Sequence, residues 1–71
     1  MHSHLKAAEQ QAQSVPQFCA SHGISRAFFY ILQRKGNGPR LMRVGRRTLV
    51  ATEAAADWRR KMESDAERAA A

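Results

Sequence analysis

The sequence predicts a mostly α-helical domain that carries one small β-hairpin. Two short segments with helical spacing of apolar residues are separated by a tight turn at Gly23. Two segments containing β-branched residues flank Gly45, as in a hairpin. A third segment with helical spacing follows Thr52. Together these patterns predict a helix-turn-helix, a two-stranded wing and a C-terminal helix.

The length of 71 residues limits the chain to one domain. A core of this size contributes about 3–5 kcal/mol. No apolar run reaches the ~18 residues of a membrane span, and the N-terminus has no apolar stretch typical of a signal peptide. We therefore expect a cytoplasmic protein without membrane contact. Its predicted parts are a flexible arm over residues 1–13, the domain over 14–63 and a polar tail over 64–71.

The first helix is predicted to begin near Ser14, a good N-cap, with Pro16 in its first turn. Val15 and Phe18 fall on one face and are predicted core residues. Gly23 ends this helix.

The second helix is predicted to follow the N-cap Ser25 and to run to Lys35, before Gly36. Phe29 and Leu32 lie three residues apart and are predicted to face the core. The flanks and the opposite face then carry Arg26, Ala27, Tyr30, Ile31 and Arg34.

The hairpin is predicted to pair residues 41–44 with residues 48–51 across a three-residue connection that starts at Gly45. Its tip would present Arg46 and Arg47, with Arg43 just below. Leu49 is the predicted core residue of the second strand.

The third helix is predicted to begin at a Thr52 cap. Ala54, Trp58 and Met62 repeat at i, i+4 and i+8 and form an apolar stripe. Trp58 is the predicted core residue of this helix.

The positive charge is concentrated in one part of the chain. The net charge is +6, yet residues 25–50, here called the basic segment, contain no acidic residue. This pattern fits a surface that binds a polyanion, and a charge run alone is equally compatible with a solvated basic face. The basic residues of this segment are Arg26, Arg34, Lys35, Arg40, Arg43, Arg46 and Arg47.

No residue pattern predicts catalysis, a metal site or a cofactor. Cys19 lies in an apolar stretch and is expected to be a buried core residue, even though His22 follows at i+3. His2 and His4 have no further ligands at useful spacing. We therefore expect a binding protein and not an enzyme.

The order of motifs resembles a known family. The motif of residues 23–32 (GISRAFFYIL) is followed by Gly36 to Pro39, the wing sequence of residues 44–50 (VGRRTLV) and Trp58 in the last helix. From Val15 to about Met62 the chain resembles the small phage and mobile-element regulators of the AlpA and excisionase type, relatives of the MerR-like winged-helix domains.

The resemblance implies a winged helix-turn-helix that binds double-stranded DNA and acts as a recombination directionality factor. Such a protein coats and bends attachment-site DNA so that an integrase runs in the direction of excision, and its protomers bind cooperatively. The expected recognition helix presents Ser25, Arg26, Ala27, Tyr30, Arg34 and Lys35, and the expected wing presents Arg43, Arg46 and Arg47.

Several roles stay open at this point. Arg26 reads a guanine or clamps a phosphate, and Tyr30 donates to a phosphate or packs its ring against the helix. Phe28 and Ile31 are apolar where this family commonly has polar residues; Phe28 either contacts a thymine methyl or belongs to the core. The alternatives to an excision factor are a transcriptional regulator of a phage or mobile element, and an adaptor that binds a protein partner through Phe28 and Ile31 or through the C-terminal helix.

Overall fold

Three helices and three short strands form from residues 11–70, the part of the chain that the computed structural model describes. The elements in chain order are β1 (Ala12–Ser14), α1 (Val15–His22), α2 (Arg26–Arg34), β2 (Met42–Val44), β3 (Arg47–Ala51) and α3 (Thr52–Ala70). The predicted helices and hairpin are therefore present. Residues 1–10 of the predicted arm, with His2 and His4, and residue 71 of the predicted tail lie outside the described residues.

Helix α1 is closed at both ends by its own sequence. The Ser14 hydroxyl accepts a hydrogen bond from the Gln17 N–H at 3.2 Å, and the Gln17 carboxamide oxygen accepts from the Ser14 N–H at 2.9 Å, which forms a capping box. At the other end Gly23 adopts a φ of 68°, and the Ile24 N–H donates to the Cys19 carbonyl at 3.0 Å. This is a Schellman motif, and it sets the tight turn into α2.

The sheet has the strand order β1-β3-β2 and is antiparallel throughout. Strand β1 corrects the prediction of an arm over residues 1–13, because Ala12 pairs with Ala51 and Gln13 with Val50. Its sequence is a poor strand former. The strand forms because β3 has a second edge whose backbone groups need partners, and this need is invisible in residues 12–14 themselves.

The core is built around Phe18. Its ring is fully buried and meets Phe29 and Trp58 edge-on, at centroid distances of 5.7 and 5.4 Å. The fully or nearly buried apolar residues are Val15, Phe18, Cys19, Phe29, Val50, Ala54 and Ala55. Trp58 is only partly buried and packs against this cluster.

Besides Trp58, two further predicted core positions lie outside this cluster. Leu32 and Leu49 are half-buried, and the core residue of β3 is Val50. Side chains alternate across a strand, so Val50 faces the helices while its neighbour Leu49 lies on the other face. The sequence pattern did not fix which face of β3 is covered.

Helix α3 continues through the predicted polar tail to Ala70. Its outer surface is covered by pairs of opposite charge, described below. None of the helices within residues 11–70 has the length and apolarity that a membrane span requires.

Candidate nucleic-acid interface

Helix α2 is held so that one face points to solvent. Ser25 caps it, with its hydroxyl accepting from the Phe28 N–H at 3.0 Å. Phe29 is fully buried against Phe18 and fixes the rotation of the helix. The predicted recognition residues Ser25, Arg26, Ala27, Tyr30, Arg34 and Lys35 are all exposed.

The surroundings of Tyr30 bear on one of the two roles that the sequence left open, the packing of its ring. Its ring meets Phe29 edge-on, with centroids 5.2 Å apart, so the packing alternative applies to one edge of the ring. The side chain is nevertheless 48% exposed. The ring thus packs against Phe29 while about half of the residue faces solvent.

The hairpin differs from the predicted one at its turn. Val44 pairs with Arg47, so the turn has two residues, Gly45 and Arg46, and Arg47 belongs to β3. Gly45 has a φ of 60°, and no non-glycine residue described has a positive φ. A positive φ at the first turn residue alone is typical of a type II′ turn, which needs glycine there.

This register spreads the three wing arginines around the hairpin. Residues that pair directly across an antiparallel ladder share a face. Arg43 pairs with Thr48, on the face that carries Val50, whereas Arg47 lies on the opposite face. Arg46 occupies the turn between them. All three arginines are exposed, so the tip presents positive charge in three directions.

The loop between α2 and the hairpin is tied down at two points. The Trp58 indole N–H donates to the Asn37 carbonyl at 2.7 Å, and the Gln33 carboxamide donates to the Pro39 carbonyl at 2.9 Å. A Cβ on Gly38 would collide with the Gln33 carboxamide. The glycine thus leaves room for the Gln33 side chain to reach the Pro39 carbonyl.

Most of the positive charge in the basic segment has no carboxylate partner among residues 11–70. Within residues 11–70, Arg40 is the one basic residue of this segment that forms a salt bridge, to Asp57 at 3.1 Å. The other six, here called the unpaired cations, are Arg26, Arg34, Lys35, Arg43, Arg46 and Arg47. All six are exposed.

Helix α3 carries its charge in the opposite way. Arg60 pairs with Asp57, and both Lys61 and Arg68 pair with Asp65, at i, i+3 or i, i+4 spacing. Arg59 donates to His22 Nε2 at 3.0 Å. The structure therefore separates a surface of unpaired cations on α2 and the hairpin from a charge-paired surface on α3.

The His22 ring links α1 to α3. Its Nδ1 lies 2.9 Å from the Phe18 carbonyl, which can only accept, and its Nε2 faces the Arg59 guanidinium, which can only donate. The ring also stacks on Phe18 at 4.1 Å, so His22 is engaged in structure.

Cys19 has the properties of a core residue. Burial raises the pKa of the Cys19 thiol, and the nearby positive charge of Arg26 opposes this shift more weakly. A thiol with a raised pKa is protonated at neutral pH and is a poor nucleophile.

Two features of this surface were missed by sequence reasoning. The pairing of Arg40 with Asp57 joins residues 17 positions apart, and the bond from Gln33 to Pro39 depends on the course of the loop. The glycine and proline in residues 36–39 indicated a loop, but they carried no signal for either partner.

Comparisons with protein-family models, with curated proteins and with solved structures give no match for this chain. What the surface binds is therefore inferred from its own chemistry.

Proposed function

We propose that this chain is a DNA-binding protein with the winged helix-turn-helix arrangement, in which α2 is the recognition helix and the hairpin is the wing. The observation that carries the proposal is the group of six unpaired cations on these two elements. The positive potential of an exposed arginine without a carboxylate partner is not offset by a neighbouring negative charge, so it can attract an anionic ligand. Duplex DNA is a polyanion that such a cluster of exposed cations would attract.

The two elements have sizes that match the two grooves of B-DNA. The major groove accepts one α-helix, and residues near the helix N-terminus approach the base edges. Within α2 itself, after the N-cap Ser25, Arg26 and Tyr30 are the exposed side chains nearest that end which can donate hydrogen bonds. Arg46, on a two-residue turn, is narrow enough to enter a minor groove, where the negative potential is enhanced.

The more specific role proposed is that of an excisionase-like recombination directionality factor with an integrase as partner. It rests on the resemblance of the motif order to excisionases and on the small size of the binding surface. A single domain of this size binds DNA weakly, so adjacent protomers on one attachment site would supply the affinity. Regulation of transcription by the same DNA contacts is the alternative within this fold.

A second observation favours an adaptor that binds protein. Strand β2 is an edge of the sheet, and its exposed residues Met42 and Val44 continue from an exposed Leu41. Exposed apolar side chains on a strand edge are typical of surfaces that pair with another chain. Binding of a protein partner with no shift of any duplex would favour the adaptor over the DNA-binding protein.

The experiment is a titration of a labelled random duplex by fluorescence anisotropy over a series of salt concentrations. If the unpaired cations contact about five phosphates, the log–log slope against salt is roughly −4 to −5. The variant Arg43→Ala/Arg46→Ala/Arg47→Ala removes half of these cations, and we expect its slope to be shallower by about 2–3 units.

The matched control is Arg60→Ala/Lys61→Ala/Arg68→Ala, which removes the same net charge from the paired surface of α3. Exposed pairs of this kind contribute about 0–1 kcal/mol each, so the control should fold and keep the original slope. Equal slopes for the two triple variants would contradict the proposed interface. No binding at low salt would contradict the function itself.

A further inference from the structure

The solvent face of α2 is apolar between its cationic ends. Ala27, Ile31 and Arg34 lie at i, i+4 and i+7 and form the stripe opposite the buried Phe29. Phe28 lies at one side of this stripe and is 47% exposed, and Ile31 is 37% exposed. The middle of the helix thus presents methyl groups and a ring where base-reading helices often carry amides or charges.

The helix has no carboxamide left for reading bases. Bidentate contacts to adenine need a glutamine or asparagine, and Gln33 is the only such residue in α2. Its Nε2 donates to the Pro39 carbonyl, and its side chain is half-buried over Gly38. The contact of Gln33 with the loop therefore leaves α2 without a side chain for bidentate readout of adenine.

From these observations, and resting on the DNA binding proposed above, we infer that α2 reads the 5-methyl groups of thymine in the major groove. The thymine methyl is the one apolar group on a major-groove base edge, and alanine or phenylalanine side chains are suitable partners. Ile31, at the centre of the stripe, is the residue to which we assign the main contact, with Ala27 and Phe28 beside it.

Charge complementarity favours a DNA groove over a second copy of this chain as the occupant of this face. Arg34 forms one end of the stripe, Arg26 and Lys35 lie beside it, and the whole basic segment lacks an acid. Two such faces brought together would oppose like charges. In a groove the same cations face phosphates on both sides.

The test compares duplexes that differ in the methyl group alone. Binding of the full chain is measured by anisotropy to alternating dA·dT and dA·dU duplexes, and to alternating dG·dC duplexes with and without 5-methylcytosine. Burying one methylene-sized group corresponds to about fourfold in affinity. We expect the methylated member of each pair to bind at least fourfold more tightly, at an unchanged salt slope.

Two variants locate the contact. Ile31→Ala should reduce the preference for the methylated duplexes to about twofold or less while keeping the salt slope. Leu41→Ala removes a side chain of similar size and exposure from outside α2, and it should keep the full preference.

The outcomes separate this inference from the proposed function. Binding to every duplex with no effect of the methyl group would overturn the methyl readout and leave the DNA binding in place. A preference confined to the dA·dT pair would trace to duplex flexibility and would also overturn it. Absence of binding to all four duplexes would remove the proposed function.

Discussion

The basic segment and helix α3 carry the same kinds of cationic side chain, but they differ in whether those side chains form ion pairs. In α3 the carboxylates of Asp57 and Asp65 lie one helical turn from Arg60, Lys61 and Arg68, and the pairs form within the helix. In the basic segment six cations stand without any such partner in residues 11–70.

This difference separates two physical roles of a charge. A paired cation keeps the helix surface hydrated and adds little to stability. An unpaired cation repels its neighbours in the free protein and gains most when a polyanion approaches and releases counterions. Charge location therefore indicates a binding surface better than the net charge of +6 does.

The largest expected effect comes from removing the side chain that supports both regions. Phe18 contacts Phe29 of α2 and Trp58 of α3. We expect Phe18→Ala to cost about 3–5 kcal/mol, which is about the whole stability expected of such a domain, and to abolish the cooperative thermal transition in circular dichroism. Val44→Ala, at a half-exposed position, should melt close to the original chain. A cooperative melt of Phe18→Ala near that temperature would show that the two regions do not share this support.

The next largest effect comes from increasing the number of unpaired cations in the basic segment. Asp57 holds Arg40 of the basic segment as well as Arg60. Asp57→Asn frees Arg40, so we expect the salt slope of DNA binding to steepen by about one unit, and the affinity in 0.1 M salt to rise roughly fivefold to tenfold. Asp65→Asn makes the same charge change and frees Lys61 and Arg68 on α3. If both variants tightened DNA binding equally, total charge and not its location would control the interaction.

A smaller effect concerns the bond between α3 and the loop that carries the hairpin. Trp58→Phe keeps a ring against Phe18 and removes the N–H that donates to the Asn37 carbonyl. Asn37 is exposed, so water replaces the lost donor, and we expect a loss of about 1 kcal/mol in urea denaturation. A loss as large as that of Phe18→Ala would mean that the ring of Trp58 is as central to the core as Phe18.

The smallest expected effect is a change of stability with pH that comes from the buried Cys19 thiol, whose pKa responds to the nearby charge of Arg26. Because burial holds the pKa of the Cys19 thiol above its usual value, the unfolded chain releases this proton at a lower pH than the folded chain. The stabilising contribution is complete below about pH 8.5, the ordinary thiol pKa, and is lost as the pH rises through the folded value. Urea melts between pH 7.5 and 9.5 should show this decline, and Cys19→Ala should lack it.

Arg26 connects this measurement to the basic segment. Its positive charge lowers the Cys19 pKa, so Arg26→Ala should raise that pKa further and deepen the alkaline decline. A decline that is the same in Arg26→Ala and in the original chain would show that this charge does not act on the core.

Local sequence determined the helices and their ends. The caps at Ser14 and Ser25 and the stop at Gly23 are satisfied within a few residues, so no distant partner is needed to predict them. The same holds for the ion pairs of α3, whose spacing follows from the helix itself. The concentration of positive charge in residues 25–50 is also a property of the sequence alone.

Tertiary structure decided the features that join distant residues. Strand β1 forms only because β3 offers an edge, and the covered face of β3, hence Val50 rather than Leu49, depends on where the helices pack. The two-residue turn moved Arg47 from the tip into a strand. The salt bridge from Arg40 to Asp57 and the hydrogen bond from Gln33 to the Pro39 carbonyl engage two side chains that would otherwise be available to a ligand. The sequence by itself thus determined where the charge is, through local spacing and composition. Only packing decided which of those side chains form ion pairs, because the carboxylate that pairs with Arg40 comes from α3.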